Sequence, residues 1–311
     1  MSGQARANRS RWRCRSAAPP LEDAETRMRP DMSRLRGVLR QKGYSPLAWA
    51  AFLAGAWDLS RATARAHPAL TRMWRDRVIL RAATLPLLAR ALRCPAASPY
   101  LWGIYVYQQA DLYIHLGLNG APNSSTPRTA FPLATECTLL RAYAAAALLA
   151  GTTAPRRALA LGVATDILDG YLARRTRRRT RLGAYLDGAY DALLLLAAAR
   201  AARWRHDANR YVEYAAWLRV GGTAAAGLVA YVALPDHVAP MASTWPGRLA
   251  GGVQTVALVA ALSDAPPSAR PSRRWSIAMA LSAIAAIAAQ VARYRRALSH
   301  TSLTNDDRRA L

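Results

Sequence analysis

The chain has 311 residues, 52% of them hydrophobic, and a formal net charge of +25 carried almost wholly by arginine, with Lys42 the single lysine. So large a basic excess calls for an anionic partner, either nucleic acid or the cytoplasmic face of a membrane. A soluble nucleic-acid binder has no use for the Ala- and Leu-rich blocks that separate the basic clusters, so composition favours the membrane. A mean hydropathy of −0.02 suits an apolar core with polar, Arg-rich flanks rather than a minimal membrane protein. Cys14, Cys94 and Cys137 are scattered, with neither metal spacing nor an even-numbered disulfide framework, and read as incidental.

Residues 1–44 are rich in Arg, Ser and Pro with no apolar period, which predicts a disordered basic tail. Glu22, Asp23 and Glu25 weaken a targeting-peptide reading, and no apolar signal region is present in the stretch. Residues 45–130 predict amphipathic or interfacial helices of unknown role. Ser45 to Trp57 is apolar but shorter than the about 20 residues a bilayer span needs. Val78 to Leu92 contains Arg81 and Arg90, and Tyr100 to Leu118 contains Gln108, Gln109, Asp111 and His115. Asn119 to Pro127 reads as a linker.

Beyond it, apolar helical blocks run about 133–151, 156–175, 181–203, 209–234, 246–263 and 274–295, broken at Gly151 to Pro155, Leu234 to Asp236, and Ala265 to Pro271. The expected fold is therefore all-α: an integral membrane six-helix bundle over 131–297, with a basic, partly helical N-terminal extension and a cytoplasmic tail at 298–311. Arg174, Arg175, Arg177, Arg178, Arg179 and Arg181 crowd the turn between the second and third blocks. With six spans, that turn shares a side with both basic ends, and the positive-inside rule makes that side cytoplasmic.

Several of these blocks carry charge inside the apolar span, where charge is expensive and normally marks a buried site. Asp166 and Asp169, three apart, share one helix face; Asp187 and Asp191, four apart, share a face of the next helix. The short basic turn makes the two helices antiparallel neighbours, so four carboxylates can converge near one end of the pair. Left alone they would repel each other and resist ionisation. Divalent cations relieve both problems, and oxygen-only ligands with no His or Cys near in sequence suit Mg²⁺ or Mn²⁺. Two such ions can clamp the attacking and leaving oxygens of a phosphoryl transfer. Gly170 and Gly183 allow a ligand close to the backbone, and Arg174 can neutralise a diphosphate. The plainer alternative, aspartates that only cap helices or pair with the nearby arginines, is reasonable for any one of them and poor for the set.

The stretch D-x2-D-G-x2-A-R-x8-G-x3-D-x3-D, read at Asp166, Asp169, Gly170, Ala173, Arg174, Gly183, Asp187 and Asp191, resembles the signature of the CDP-alcohol phosphotransferases with every spacing kept. The resemblance implies that Asp166, Asp169, Asp187 and Asp191 hold two divalent metal ions, Mg²⁺ or Mn²⁺. It further implies that Asp191 is the catalytic base on the acceptor hydroxyl. Asp166, Asp169, Gly170, Ala173, Arg174, Gly183 and Asp187 would seat the CDP moiety. It also implies a multi-pass membrane enzyme working as a homodimer. Such an enzyme transfers a phosphatidyl group from CDP-diacylglycerol to glycerol 3-phosphate or another polyol phosphate, releasing CMP.

Two shorter elements resemble family patterns. Thr138 and Arg141 match the end of P-N-x-L-T-x-x-R, with Ala134-Thr135 in place of Pro-Asn. Gly247-Arg248 with Gln254 matches part of G-K-x-K-T-x-x-Q, with Ala250 and Gly251 in place of the second Lys and the Thr. Arg141, Arg219 and Arg248 are the candidate acceptor-binding cations. Competing readings are a family member with a different CDP-alcohol donor or a lipid acceptor, a membrane divalent-cation transporter, and a membrane-anchored nucleic-acid binder. A cation path has no use for a diphosphate-binding Arg174, and no nucleic-acid partner is expected.

Overall fold

A computed structural model describes residues 30–121, 127–176, 178–205, 210–233, 244–262 and 273–309. The expected tail at 1–29, the middle of the expected linker, and the breaks at 234–236 and 265–271 lie outside the described residues. Among the described residues all regular structure is helical: α1 Pro30–Gln41, α2 Pro46–Ala66, α3 Pro68–Ala91, α4 Pro99–Ile114, a 3₁₀ turn Leu116–Leu118, α5 Leu133–Leu149, α6 Pro155–Thr176, α7 Arg181–Arg205, α8 Arg210–Ala233, α9 Trp245–Ala261 and α10 Arg273–Arg309.

The elements from α5 to α10 stand where the six apolar blocks predict helices. Among the described residues two segments, α7 and Ser276–Arg296 within α10, are long and apolar enough to cross a membrane. This is fewer than the six spans expected. Helices α5 and α9 are 17 residues each, and α6 carries Arg156, Arg157, Asp166, Asp169, Arg174 and Arg175. The last helix also runs on through 298–309, where a tail is expected.

Helix α5 is the pivot. Almost every residue from Thr135 to Leu148 is buried, as suits a largely apolar helix packed against neighbours on several sides, with Glu136 and Arg141 ion-paired. It packs on both α6 and α7. Its Ala144, Ala145 and Ala147 share a buried cluster with small residues of α7, including Ala197–Ala199, and small side chains let helix backbones approach closely. Gly162 serves the same end on α6, since a Cβ there would lie 2.5 Å from Leu194 Cδ2 of α7. A second layer, α8, α9 and α10, packs together and joins the first through α7.

The α5–α6 connection is short because α5 ends in a tight reversal. Gly151 takes φ 72°, the Thr152 amide donates to Ala147 O at 3.1 Å, and the Gly151 amide donates to Leu148 O at 3.3 Å. This paired capping pattern satisfies the last carbonyls of the helix and favours glycine at the left-handed position. Pro155 then starts α6 at a position where its missing N–H costs nothing.

The N-terminal part departs most from expectation. Residues 30–41, expected within the tail, form α1, because Leu35 seats in the gap that Gly55 leaves on α2, Leu39 is buried, and Arg36 stacks over the Tyr231 ring of α8 at 4.8 Å. Helix α4 packs against α5, so its polar residues are largely internal: Gln108, Gln109 and Asp111 are buried. The linker ends are tied by Asn119, whose Nδ2 donates to Arg128 O at 2.9 Å and Ala130 O at 3.2 Å. The bond that fastens α3 to α5 is ionic. Arg81, buried, gives Nη2 to both carboxylate oxygens of Glu136 at 2.9 and 3.0 Å, while its Nη1 donates to Gln109 Oε1 of α4 at 3.1 Å. Removing one partner of such a pair leaves the other charge buried and alone. Glu136→Ala should therefore cost on the order of 3 kcal/mol and make α2–α4 more sensitive to protease, read by thermal unfolding and limited proteolysis in detergent.

Candidate active site

The site forms where α5, α6 and α7 meet. Asp166 and Asp169 come from α6, Asp187 and Asp191 from α7, and Thr138 and Arg141, three apart on one face, from α5. The register of α7 is set at its first turn: Thr180 Oγ1 accepts from the Gly183 amide at 2.9 Å, and the Thr180 carbonyl accepts from the Ala184 amide at 3.2 Å. This side-chain cap starts the helix after the basic turn and so fixes where Asp187 and Asp191 point.

All four predicted carboxylates converge, and what they converge on is a guanidinium. Arg141 is fully buried. Its Nη2 lies 3.1 Å from Asp166 Oδ1 and 2.5 Å from Asp169 Oδ2. Its Nη1 lies 2.6 Å from Asp187 Oδ1 and pairs with Asp191 Oδ1 as well. Asp169 is the buried floor of the cup and also accepts from Thr138 Oγ1 at 2.9 Å. Asp187 is half-buried, while Asp166 and Asp191 form an exposed rim.

One oxygen each from Asp166, Asp169 and Asp187 lies within 4.8 Å of the others. This cluster of hard oxygen donors fits Mg²⁺ or Mn²⁺. Asp191 stands outside that tightest group and joins it through Arg141.

The remaining predicted site residues fall in three places. Gly170 lies on α6 under its own neighbour, since a Cβ there would meet Arg174 Nη1 at 3.1 Å. Arg174 is exposed and folds back over this glycine, beside the cup rather than in it. Ala173 is half-buried one turn from Asp169. Gly183 faces Thr180 Oγ1 and, at 3.6 Å from its would-be Cβ, Thr135 Oγ1 of α5, so this small residue keeps the α5–α7 contact close.

Arg141 is the main correction among the acceptor candidates. It is expected to meet an acceptor, but its two terminal nitrogens are taken up by the four carboxylates and it has no exposed surface. Arg219 is placed differently. Its Nη1 donates to Gln254 Oε1 at 2.5 Å and its Nη2 to Gly247 O at 3.3 Å, and it lies within electrostatic reach of Asp191. The Gly247 and Gln254 of the shorter α9 element are thus joined to Arg219 on α8. Arg248 is exposed at the start of α9. Thr138 and Thr180 are the contributors that the sequence leaves without a site role. Their signals are a hydroxyl one turn before an arginine on a buried helix, and a hydroxyl three residues before a helical glycine.

The described residues thus form an all-helical body with an acidic cup where α5, α6 and α7 meet. The sequence model of the CDP-alcohol phosphatidyltransferase family matches residues 133–291, just over half of the 311-residue chain and all of the cup. The chain belongs to that family. No curated protein and no solved structure matches it.

Thr180→Ala should remove the cap of α7 at a cost of about 1 kcal/mol. Hydrogen exchange at the Gly183 and Ala184 amides should quicken, while amides in the middle of α7 keep their protection.

Proposed function

We propose that this enzyme transfers a phosphatidyl group from CDP-diacylglycerol to a polyol phosphate, glycerol 3-phosphate or a close analogue, and releases CMP. The observation that carries this reading is the convergence of four carboxylates from α6 and α7 on one point, the guanidinium of Arg141. Asp166, Asp169 and Asp187, with Asp191 completing the set, would hold two divalent ions, which when bound supply charge neutralisation for the diphosphate and its leaving oxygen. Arg174 is exposed on the α6 end next to the cup, and it pairs with the nucleotide's diphosphate.

Asp191, on the exposed rim, takes the proton of the acceptor hydroxyl. The hydroxyl oxygen then forms a bond to the lipid-side phosphorus, the bond from that phosphorus to the bridging oxygen breaks, and CMP departs with the bridging electrons. Arg219 binds the acceptor's phosphate, with Arg248 as a further cation at the mouth of α9.

A membrane setting supports the same reading. Ile167, Leu168 and Tyr171 are exposed on α6, away from its buried Asp169, and Leu228, Val229, Val256, Ile277, Leu281 and Ile284 are exposed on the outer helices. Apolar side chains in that number suit contact with lipid. All six helices α5–α10 would lie in the bilayer, with the Arg-rich α6–α7 turn on the cytoplasmic side. The lipid donor would then reach the cup sideways from that leaflet, and a second copy of the chain completes a homodimer.

Asp187→Asn and Asp191→Asn should each lower CMP release from CDP-diacylglycerol by about 10²–10⁴-fold in detergent with Mn²⁺. Unchanged turnover by a folded Asp191→Asn enzyme rules out its role as base. Arg219→Ala should raise the KM for a phosphorylated acceptor by about tenfold or more and leave the KM for the CDP donor close to wild type, measured by varying each substrate in turn.

A further inference from the structure

Arg141 does more than line the cup. It is fully buried on α5 between Leu139 and Ala142, themselves buried, and its guanidinium touches one oxygen of every carboxylate in the site. Three of those carboxylates are the ones whose oxygens lie within 4.8 Å of each other. The group that gathers them is a side chain of this same protein. Its Nε, by contrast, is buried without a hydrogen-bond partner. The guanidinium is thus held by what its two terminal nitrogens reach and by nothing on the α5 side.

A carboxylate oxygen that accepts from Arg141 has lone pairs and charge committed to it. A divalent ion held by the same carboxylates must share or take them, and it must do so next to a fixed positive charge of the same sign.

We propose that Arg141 is the resident counter-cation of the cup and a direct competitor of the divalent metal. It holds four mutually repelling carboxylates together without metal, and metal loading displaces it from their oxygens. This rests on the cup being a metal site, and it adds a property of this chain: affinity for metal is set below what the aspartates alone would give. Arg141 is therefore a positioning residue that tunes loading.

The sign of one change separates this from a structural role. If Arg141 only braces α5 against α6 and α7, removing it lowers stability and leaves metal affinity equal or weaker. If it competes, removing its charge lowers the stability of the metal-free protein and tightens metal binding, because coupling between two ligands of one site is reciprocal.

The experiment uses the full chain in detergent as wild type, Arg141→Met, Arg141→Lys and Asp169→Asn. Free Mn²⁺ is titrated by electron paramagnetic resonance, and thermal unfolding is followed with and without Mn²⁺. The expected result is a Kd for Mn²⁺ about tenfold tighter in Arg141→Met than in wild type. Its unfolding temperature falls without metal and is largely restored by Mn²⁺. Arg141→Lys keeps the charge but as a compact ammonium that cannot span four carboxylates, so it falls between the two; it also carries the test should Arg141→Met fail to fold. Equal or weaker Mn²⁺ binding in whichever of these variants folds overturns the proposal. Wild-type binding that disappears in Asp169→Asn, together with no tightening in Arg141→Met or Arg141→Lys, leaves the metal reading standing while the competition fails. No Mn²⁺ binding in any form overturns both.

Discussion

Four carboxylates crowded within a few ångströms of one another, one of them buried, resist ionisation unless a cation stands among them. In this protein the constraint is met from a third helix. Asp166 and Asp169 of α6 and Asp187 and Asp191 of α7 all reach Arg141 of α5, and Thr138, one turn earlier, adds a donor to the buried Asp169. The acidic motif sits on α6 and α7, but the charge that makes its convergence tolerable is on α5. Much of the packing can be understood as serving that geometry. Alanines on α5 and α7 and Gly162 on α6 bring the three backbones close, and the Gly151 reversal and the Thr180 cap fix the registers of α6 and α7.

The same arrangement divides labour across the molecule. The floor of the cup is buried and its rim, at Asp166 and Asp191, is exposed, so Asp191, the proposed base, is on the open side. The second layer of helices contributes Arg219, anchored by Gln254 and the Gly247 carbonyl. A further ion cluster, Glu213 of α8 with Arg200 and Arg203 of α7, ties the two layers together away from the cup. The N-terminal helices brace α5 from outside through Arg81, Glu136 and Gln109.

The helices from α5 onward were legible because their apolar blocks are long and punctuated by Gly and Pro, as at Gly151 to Pro155. The acidic residues were legible because i, i+3 and i, i+4 spacing assigns faces without reference to any partner. What the sequence could not show is which partner a buried charge chooses. Arg141 and Arg219 are both arginines within apolar helices, and the T-x-x-R spacing that marks Arg141 does not say that it sits among the carboxylates while Arg219 bonds Gln254 and Gly247. Arg81 and Glu136 are 55 residues apart, so their pairing is a property of tertiary structure alone. The helix at 30–41 was hidden for a similar reason: it is held by Leu35 against Gly55 and by Arg36 against Tyr231, contacts that a polar, Arg-rich stretch does not advertise. Among the described residues only α7 and Ser276–Arg296 are long and apolar enough to cross a membrane, since α5 and α9 reach 17 residues each and α6 carries internal charge.

The central claim is spatial: the α6–α7 carboxylates gather at a point where divalent cations bind. Anomalous scattering at the manganese edge, from crystals grown with Mn²⁺ and a CDP-alcohol, tests it without reference to turnover. The account predicts manganese peaks bounded by Asp166, Asp169, Asp187 and Asp191, with the guanidinium of Arg141 no longer bridging them. Manganese bound elsewhere, or those four side chains still closed on Arg141 with nucleotide present, would contradict it.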